Sequence, residues 1–183
     1  MNQSKKTVLF FLLLSGFMVH GQKKFSTSEG EMSFTSNATL EVIKASSHKI
    51  QGILDPSNKQ FAFLVKIKSF EGFNSELQRE HFNEKYMETE KYYDATFTGT
   101  LIDPVDFAKD GTYNVRAKGS LTIHGKKQPR IIPGKIIIEK GTLRIDCTFT
   151  VPLADHDIKI PQVVSEKIAT EIFVKLNVLM TQK

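Results

Sequence analysis

TYNVRAKGSLTIHG, Thr112 to Gly125, alternates apolar or small residues with polar ones along its whole length. Tyr113, Val115, Ala117, Gly119, Leu121 and Ile123 fall on one side, and Asn114, Arg116, Lys118, Ser120, Thr122 and His124 on the other. Successive side chains of a strand point to opposite faces, so this pattern predicts a long strand with one buried face and one wet face. Strands of that kind belong to antiparallel sheets; a parallel sheet covered on both sides would show continuous apolar runs instead.

The same period recurs on either side of this stretch. QFAFLVKIK sets Phe61, Phe63, Val65 and Ile67 against Lys66 and Lys68, and TLRIDCTFTVPL sets Leu143, Ile145, Cys147, Phe149, Val151 and Leu153 against Arg144, Asp146, Thr148 and Thr150. Further strands are predicted over residues 31–45, 48–55, 95–102, 131–140 and 170–180, separated by turn-forming residues at Asp55-Pro56-Ser57-Asn58, Asp103-Pro104, Asp110-Gly111, Gly125 and Lys140-Gly141. Many long strands joined by short connections fit a sandwich or an up-and-down barrel, and closure favours the barrel because it removes exposed edges. One helix interrupts the strands: NSELQREHFNEKYMETEKY offers Asn74 or Ser75 as N-cap and spaces Leu77, His81 or Phe82, and Tyr86 at helical intervals. It is expected to lie across one end of the barrel. A second, shorter helical turn is expected over residues 162–169.

The N-terminus reads as an export signal. Lys5 and Lys6 precede the uncharged run Thr7 to Val19, and Val19 and Gly21 supply small or tolerated residues for cleavage. The run is too short to span a bilayer as a helix, so no permanent membrane anchor is expected. Residues 1–21 are therefore set apart as a signal peptide, and 22–183 form one domain, periplasmic or secreted after cleavage. Without Lys5 and Lys6 the chain carries 23 basic and 20 acidic side chains, a net charge of +3. That near balance, with scattered lysines, speaks against a nucleic-acid partner. The single cysteine, Cys147, cannot form an internal disulfide and sits in an alternating run as a buried thiol.

The sequence holds no His-Glu-x-x-His, no paired cysteines, no calcium loop and no Gly-x-Ser-x-Gly, so neither metal nor cofactor is expected and the protein is read as a non-enzyme. His81 with Glu84 or Lys85, and Asp155-His156-Asp157, are read as solvated or loop-anchoring groups. His124 falls at a strand end before a glycine turn, on the outward phase, and is read as a structural corner. Gly52, Gly99, Ala117 and Gly119 fall on the inward phase. They either leave room for a ligand or let the strands bend, and the pattern leaves both open, because a barrel of about eight strands can be filled by side chains or hold one slender molecule.

Three stretches resemble the YceI-like family of exported, lipocalin-like polyisoprenoid-binding proteins. REHFNEKYMETEKYYDATF, Arg79 to Phe97, is similar to that family's Arg-x-x-His helix running into Lys-Tyr and a strand; GSLTIHG, Gly119 to Gly125, to its Gly-x-Leu-Thr-Ile-His-Gly signature; and FTVPLADHDIKIP, Phe149 to Pro161, to its closing segment in the form seen in Bacteroidetes-type members. Tyr93 stands where the family usually has proline, and the usual early tryptophan is absent. The resemblance implies an all-β barrel of about eight antiparallel strands that binds an isoprenoid lipid, an isoprenoid quinone or a polyprenol. The tail would lie against Phe63, Val65, Phe97, Val115, Gly119, Leu121 and Phe149, with Phe82 and Tyr86 closing one end. Arg79, His81 and Lys85 are the head-group candidates. The alternative is a non-enzymatic stress or adaptor protein of the cell envelope with a filled barrel. Oligomeric state does not follow from the residues.

Overall fold

A computed structural model of the chain describes residues 23–28 and 30–182. Residues 1–21, read as the export signal, lie outside them. The alternating stretches form a single antiparallel sheet of ten strand segments: β1 (Phe25–Thr27), β2 (Glu31–Asn37), β3 (Val42–Ser47), β4 (Ile50–Asp55), β5 (Gln60–Lys66), β6 (Asp94–Leu101), β7 (Gly111–Ile123), β8 (Lys126–Glu139), β9 (Thr142–Pro152) and β10 (Glu171–Gln182). β1 pairs with both β4 and β10, through Phe25↔Leu54 and Phe25↔Gln182, and so closes the sheet on itself. β2 continues β1 along β10, and β3 pairs with β2 before β4 returns alongside β5. The two N-terminal pairs thus act as bent staves, and the result is an eight-stranded up-and-down barrel.

Several details differ from the sequence reading: β8 starts at Lys126 rather than at 131, and Ile67 and Leu153 fall in 3-10 turns that follow β5 and β9. The stretch 31–45 is two strands, because the Ala38 N–H donates to Glu41 O at 3.0 Å and turns the chain back. The short β1 is not legible in its three residues. It forms because Phe25, wholly buried, caps the closed end of the barrel with Leu54, Ile138, Leu143 and Met180, and Phe107 from the β6–β7 connection packs 6.1 Å from its ring. Apolar burial of this kind, at roughly 25 cal/mol per Å², overrides the weak local preference of a three-residue segment.

The ladder between β8 and β9 starts only at Gly134, opposite Cys147. Before it, β8 carries Pro129 and Pro133, which have no N–H to give to a neighbour. Side chains span the opening instead. Arg130 donates to Thr150 O at 2.5 Å and faces Asp155 at 3.6 Å, and Gln128 donates to Asp155 O at 2.6 Å.

The helical segment crosses the other end. Ser75 is the N-cap, its hydroxyl accepting the Gln78 N–H at 3.2 Å, and α1 (Glu76–His81) runs into a wider π-type turn over Phe82–Tyr86. Phe82 and Tyr86 pack with the buried Ile67, Met87 and Ile158. The second helical turn is a 3-10 turn over Gln162–Val164.

Candidate functional site

Between the packed floor and the helical end lies a cavity of about 560 Å³. The interior is therefore not filled, and its size falls in the ordinary range for small-molecule sites, roughly 300–1,000 Å³. Its lower wall is Phe61, Val115, Ile136 and Leu176, and its upper part is an aromatic cluster of Phe34, Phe70, Phe73 and Phe82. Phe34 stacks on Phe82 at 5.3 Å, and Phe73 lies 5.0 Å from Phe82. The exposed lining residues are Ser75, Leu77 and Lys167, all at the helical end, and they mark the mouth there.

The small inward residues play unequal parts in making this space. Gly99 and Gly119 face each other across β6 and β7, and a Cβ on either would collide with the other strand's backbone, at Lys118 O or Thr98 O. They permit close strand approach. A Cβ on Gly52 would meet the ring of Phe63, which covers it. Ala117 does line the cavity, as do Gly134 and Cys147, opposite each other on β8 and β9.

Phe63, Val65, Phe97, Val115, Leu121 and Phe149 stand on the cavity wall, and Phe82 and Tyr86 reach it from the crossing segment. Burial raises the Tyr86 phenol above its usual range. Gly119 is not part of the wall, for the steric reason above. Of the three head-group candidates, His81 lines the mouth, and Lys85 stands behind it with Nζ 3.2 Å from His81 Nε2. Arg79 turns away to the outer groove, where Glu76 holds it at 2.5 Å. Two other polar groups at the mouth are already engaged. Glu41 accepts from Gln78 Nε2 at 3.0 Å and Asn74 Nδ2 at 3.2 Å, and Ser36 Oγ accepts the Ala169 N–H at 2.8 Å.

Sequence reasoning missed Phe34, Phe70, Phe73 and Lys167. Phe70 and Phe73 sit in SFEGFN, and two phenylalanines in a glycine-containing loop were the available signal. Lys167 offered none, since scattered lysines are ordinary surface residues.

His124 is not part of the cavity wall. It adopts φ 50° ahead of Gly125 in the two-residue β7–β8 turn, and the Tyr92 ring lies edge-on to it at 4.6 Å. Its Nδ1 lies 3.0 Å from His156 O, and its Nε2 2.6 Å from Glu88 Oε2. Lys126 pairs with Asp157 at 2.6 Å, which holds the Asp157 carboxyl below its ordinary range. Among the described residues no cluster of His, Cys, Asp and Glu could hold a metal ion.

The sequence pattern that defines the YceI-like domain matches residues 13–180. The chain belongs to the YceI-like family. Solved structures similar to this YceI-like chain include BcnA of Burkholderia cenocepacia, at 18% identity and a TM-score of 0.67 over 82% of this chain and 95% of that one. A polyisoprenoid-binding domain from Saccharophagus degradans, implicated in plant cell wall breakdown, is 14% identical with a TM-score of 0.70, covering 87% of this chain and 98% of its own. The YceI protein of Campylobacter jejuni is 15% identical with a TM-score of 0.54, covering 100% and 99%. At these identities the likenesses show the fold shared by YceI-like proteins. A comparison with curated proteins found no match.

Proposed function

We propose that the protein is an exported, non-enzymatic lipid-binding protein that holds a polyisoprenoid-type chain, an isoprenoid quinone or a polyprenol, lengthwise in the barrel. The observation that carries this reading is the distribution of polarity in the cavity: apolar along its depth, with polar groups gathered at one mouth. A long hydrocarbon with a single polar end complements that arrangement. Burial of a few hundred Å² of tail, at roughly 25 cal/mol per Å², offsets part of the cost of association without any charged contact inside. The description of the Saccharophagus degradans neighbour as polyisoprenoid-binding supports the same class of ligand. The open cavity weighs against the filled-barrel adaptor. At the mouth, His81 with Lys85 behind it, joined by Lys167, are the groups placed to meet a head group.

Export rests on the order of basic, apolar and small residues over residues 1–21, and it assigns the mature protein to the periplasm or the exterior. Native mass spectrometry with lipid extraction, on protein purified from its own organism without detergent, tests the ligand. We expect an adduct with an isoprenoid mass. A ligand-free mass in every preparation, with no uptake of quinones or polyprenols by refolded protein, would overturn the reading.

A further inference from the structure

Three chain segments frame the mouth: the β2–β3 turn, α1, and residues 162–168. Hydrogen bonds tie them together. Leu40 N–H donates to Glu166 O at 2.8 Å, Gln78 Nε2 to Glu41 Oε1 at 3.0 Å, and Asn74 Nδ2 to Val42 O at 3.1 Å. Each segment nevertheless holds one large aliphatic side chain in water: Leu40 is 64% exposed, Leu77 59% and Val163 88%. Single exposed leucines are ordinary and need no explanation. Here three exposed aliphatic side chains stand on three different segments around one opening. Leu77 is at once an exposed residue and part of the cavity wall, which Phe73 and Phe82 also line.

We propose that this rim docks on a phospholipid bilayer, with Leu40, Leu77 and Val163 inserted among the lipids, and that the ligand passes between bilayer and cavity through the docked mouth. The inference rests on the isoprenoid reading above. A bilayer is the occupant these observations favour because Leu77 lines the opening while Leu40 and Val163 adjoin the lining residues Glu41 and Val164, and because a molecule suited to this cavity is itself dissolved in a bilayer. A hydrocarbon tail leaving a bilayer for a mouth in free solution would have to expose its whole apolar surface to water, whereas a docked mouth removes that barrier. Lys167 stands at the opening with Glu41 and beside Glu166, so the apolar side chains rather than net charge carry the contact. The contact is peripheral: among the described residues no helix is long and apolar enough to cross a membrane.

The test separates docking from binding. Leu40 and Val163 are not part of the cavity wall, so a Leu40→Ser, Val163→Ser double variant alters the rim alone. Uptake of a polyprenol added from ethanol in the absence of vesicles reads cavity binding. Flotation with vesicles of phosphatidylethanolamine and phosphatidylglycerol, and the rate of polyprenol transfer out of those vesicles, read docking. We expect unchanged uptake from ethanol, and a fall of about tenfold in both flotation and transfer rate, from the lost apolar insertion. Wild-type protein that takes up polyprenol from ethanol but neither floats nor is slowed by the double substitution overturns docking and leaves the lipid reading intact. A wild-type dimer that the substitutions convert to a monomer would assign the rim to a second copy of the chain and overturn docking likewise. Failure to bind polyprenol from either source would remove the lipid reading first.

Discussion

His124 Nε2 stands 2.6 Å from a carboxylate oxygen of Glu88, a residue 36 positions earlier in the chain. The other ring nitrogen faces His156 O at 3.0 Å, so the imidazole joins the segment after the helix, the β7–β8 turn and the 3-10 turn after β9 (Leu153–His156). Its side chain is only 11% exposed. This places His124 as a clasp across one end of the barrel, distant in role from the mouth. We expect His124→Ala to lower the unfolding free energy by about 1–3 kcal/mol, the range for partly buried, charge-assisted hydrogen bonds. Urea denaturation measures it. Unchanged stability together with lost lipid uptake would show that His124 serves the ligand instead.

His156 is wholly buried, and burial pushes its imidazole below the ordinary histidine value. Because the folded state resists the proton, its contribution to stability is complete above the unfolded value of about 6.5 and is lost progressively as pH falls below it. The urea midpoint should therefore hold steady between about pH 8 and 7 and fall below about 6.5, well before the paired carboxylates titrate. A His156→Gln variant should lose that particular slope. A midpoint that stays flat through this window in the wild type would contradict the burial argument.

Cys147 lines the cavity, and burial, with a smaller contribution from the nearby Asp146, pushes its thiol up to about 12. Since the thiolate is the nucleophile, almost none is available near neutral pH. We expect slow labelling of native protein by a polar maleimide, fast labelling in denaturant, and still slower labelling when the cavity holds a polyprenol. Mass spectrometry of timed samples reads all three. Rapid native labelling would mean that the β9 side chains face the opposite way, since a one-residue slip exchanges the two faces.

Gly119 and Ala117 share a strand face but should fail differently. A methyl group at Gly119 meets the Thr98 carbonyl, so Gly119→Ala should cost about 1–3 kcal/mol of stability while the folded fraction keeps its lipid capacity. Ala117 borders open space, and Ala117→Phe should fill the cavity and abolish polyprenol uptake with a comparable or smaller loss of stability. Denaturation and lipid titration of the two variants, side by side, separate strand spacing from cavity volume. Lipid uptake by Ala117→Phe at the wild-type level would exclude this part of the cavity as the tail site.

The protein recovered from its own host should begin at Gln22. Intact mass gives the answer directly: retention of Met1 to Gly21 in the mature chain would sink the export signal and the periplasmic or secreted assignment with it.

How far the sequence reaches follows from the range of the physics involved. Strand alternation is local, because neighbouring Cβ atoms must point to opposite faces, and so Phe63, Val65, Phe97, Val115, Leu121 and Phe149 could be set on the inner wall from their spacing alone. The Ser75 cap and the Lys140-Gly141 turn, with φ 49° and 78°, are likewise written in a few adjacent residues. Closure is another matter. Whether Phe25 reaches both Leu54 and Gln182, whether Gly119 faces empty space or the Thr98 carbonyl, and whether His124 meets Glu88 and His156 all depend on strand stagger around the whole barrel. Those contacts join residues tens to more than a hundred positions apart, and a pattern of period two, identical on every strand, says which face a side chain takes but not which neighbour it finds there.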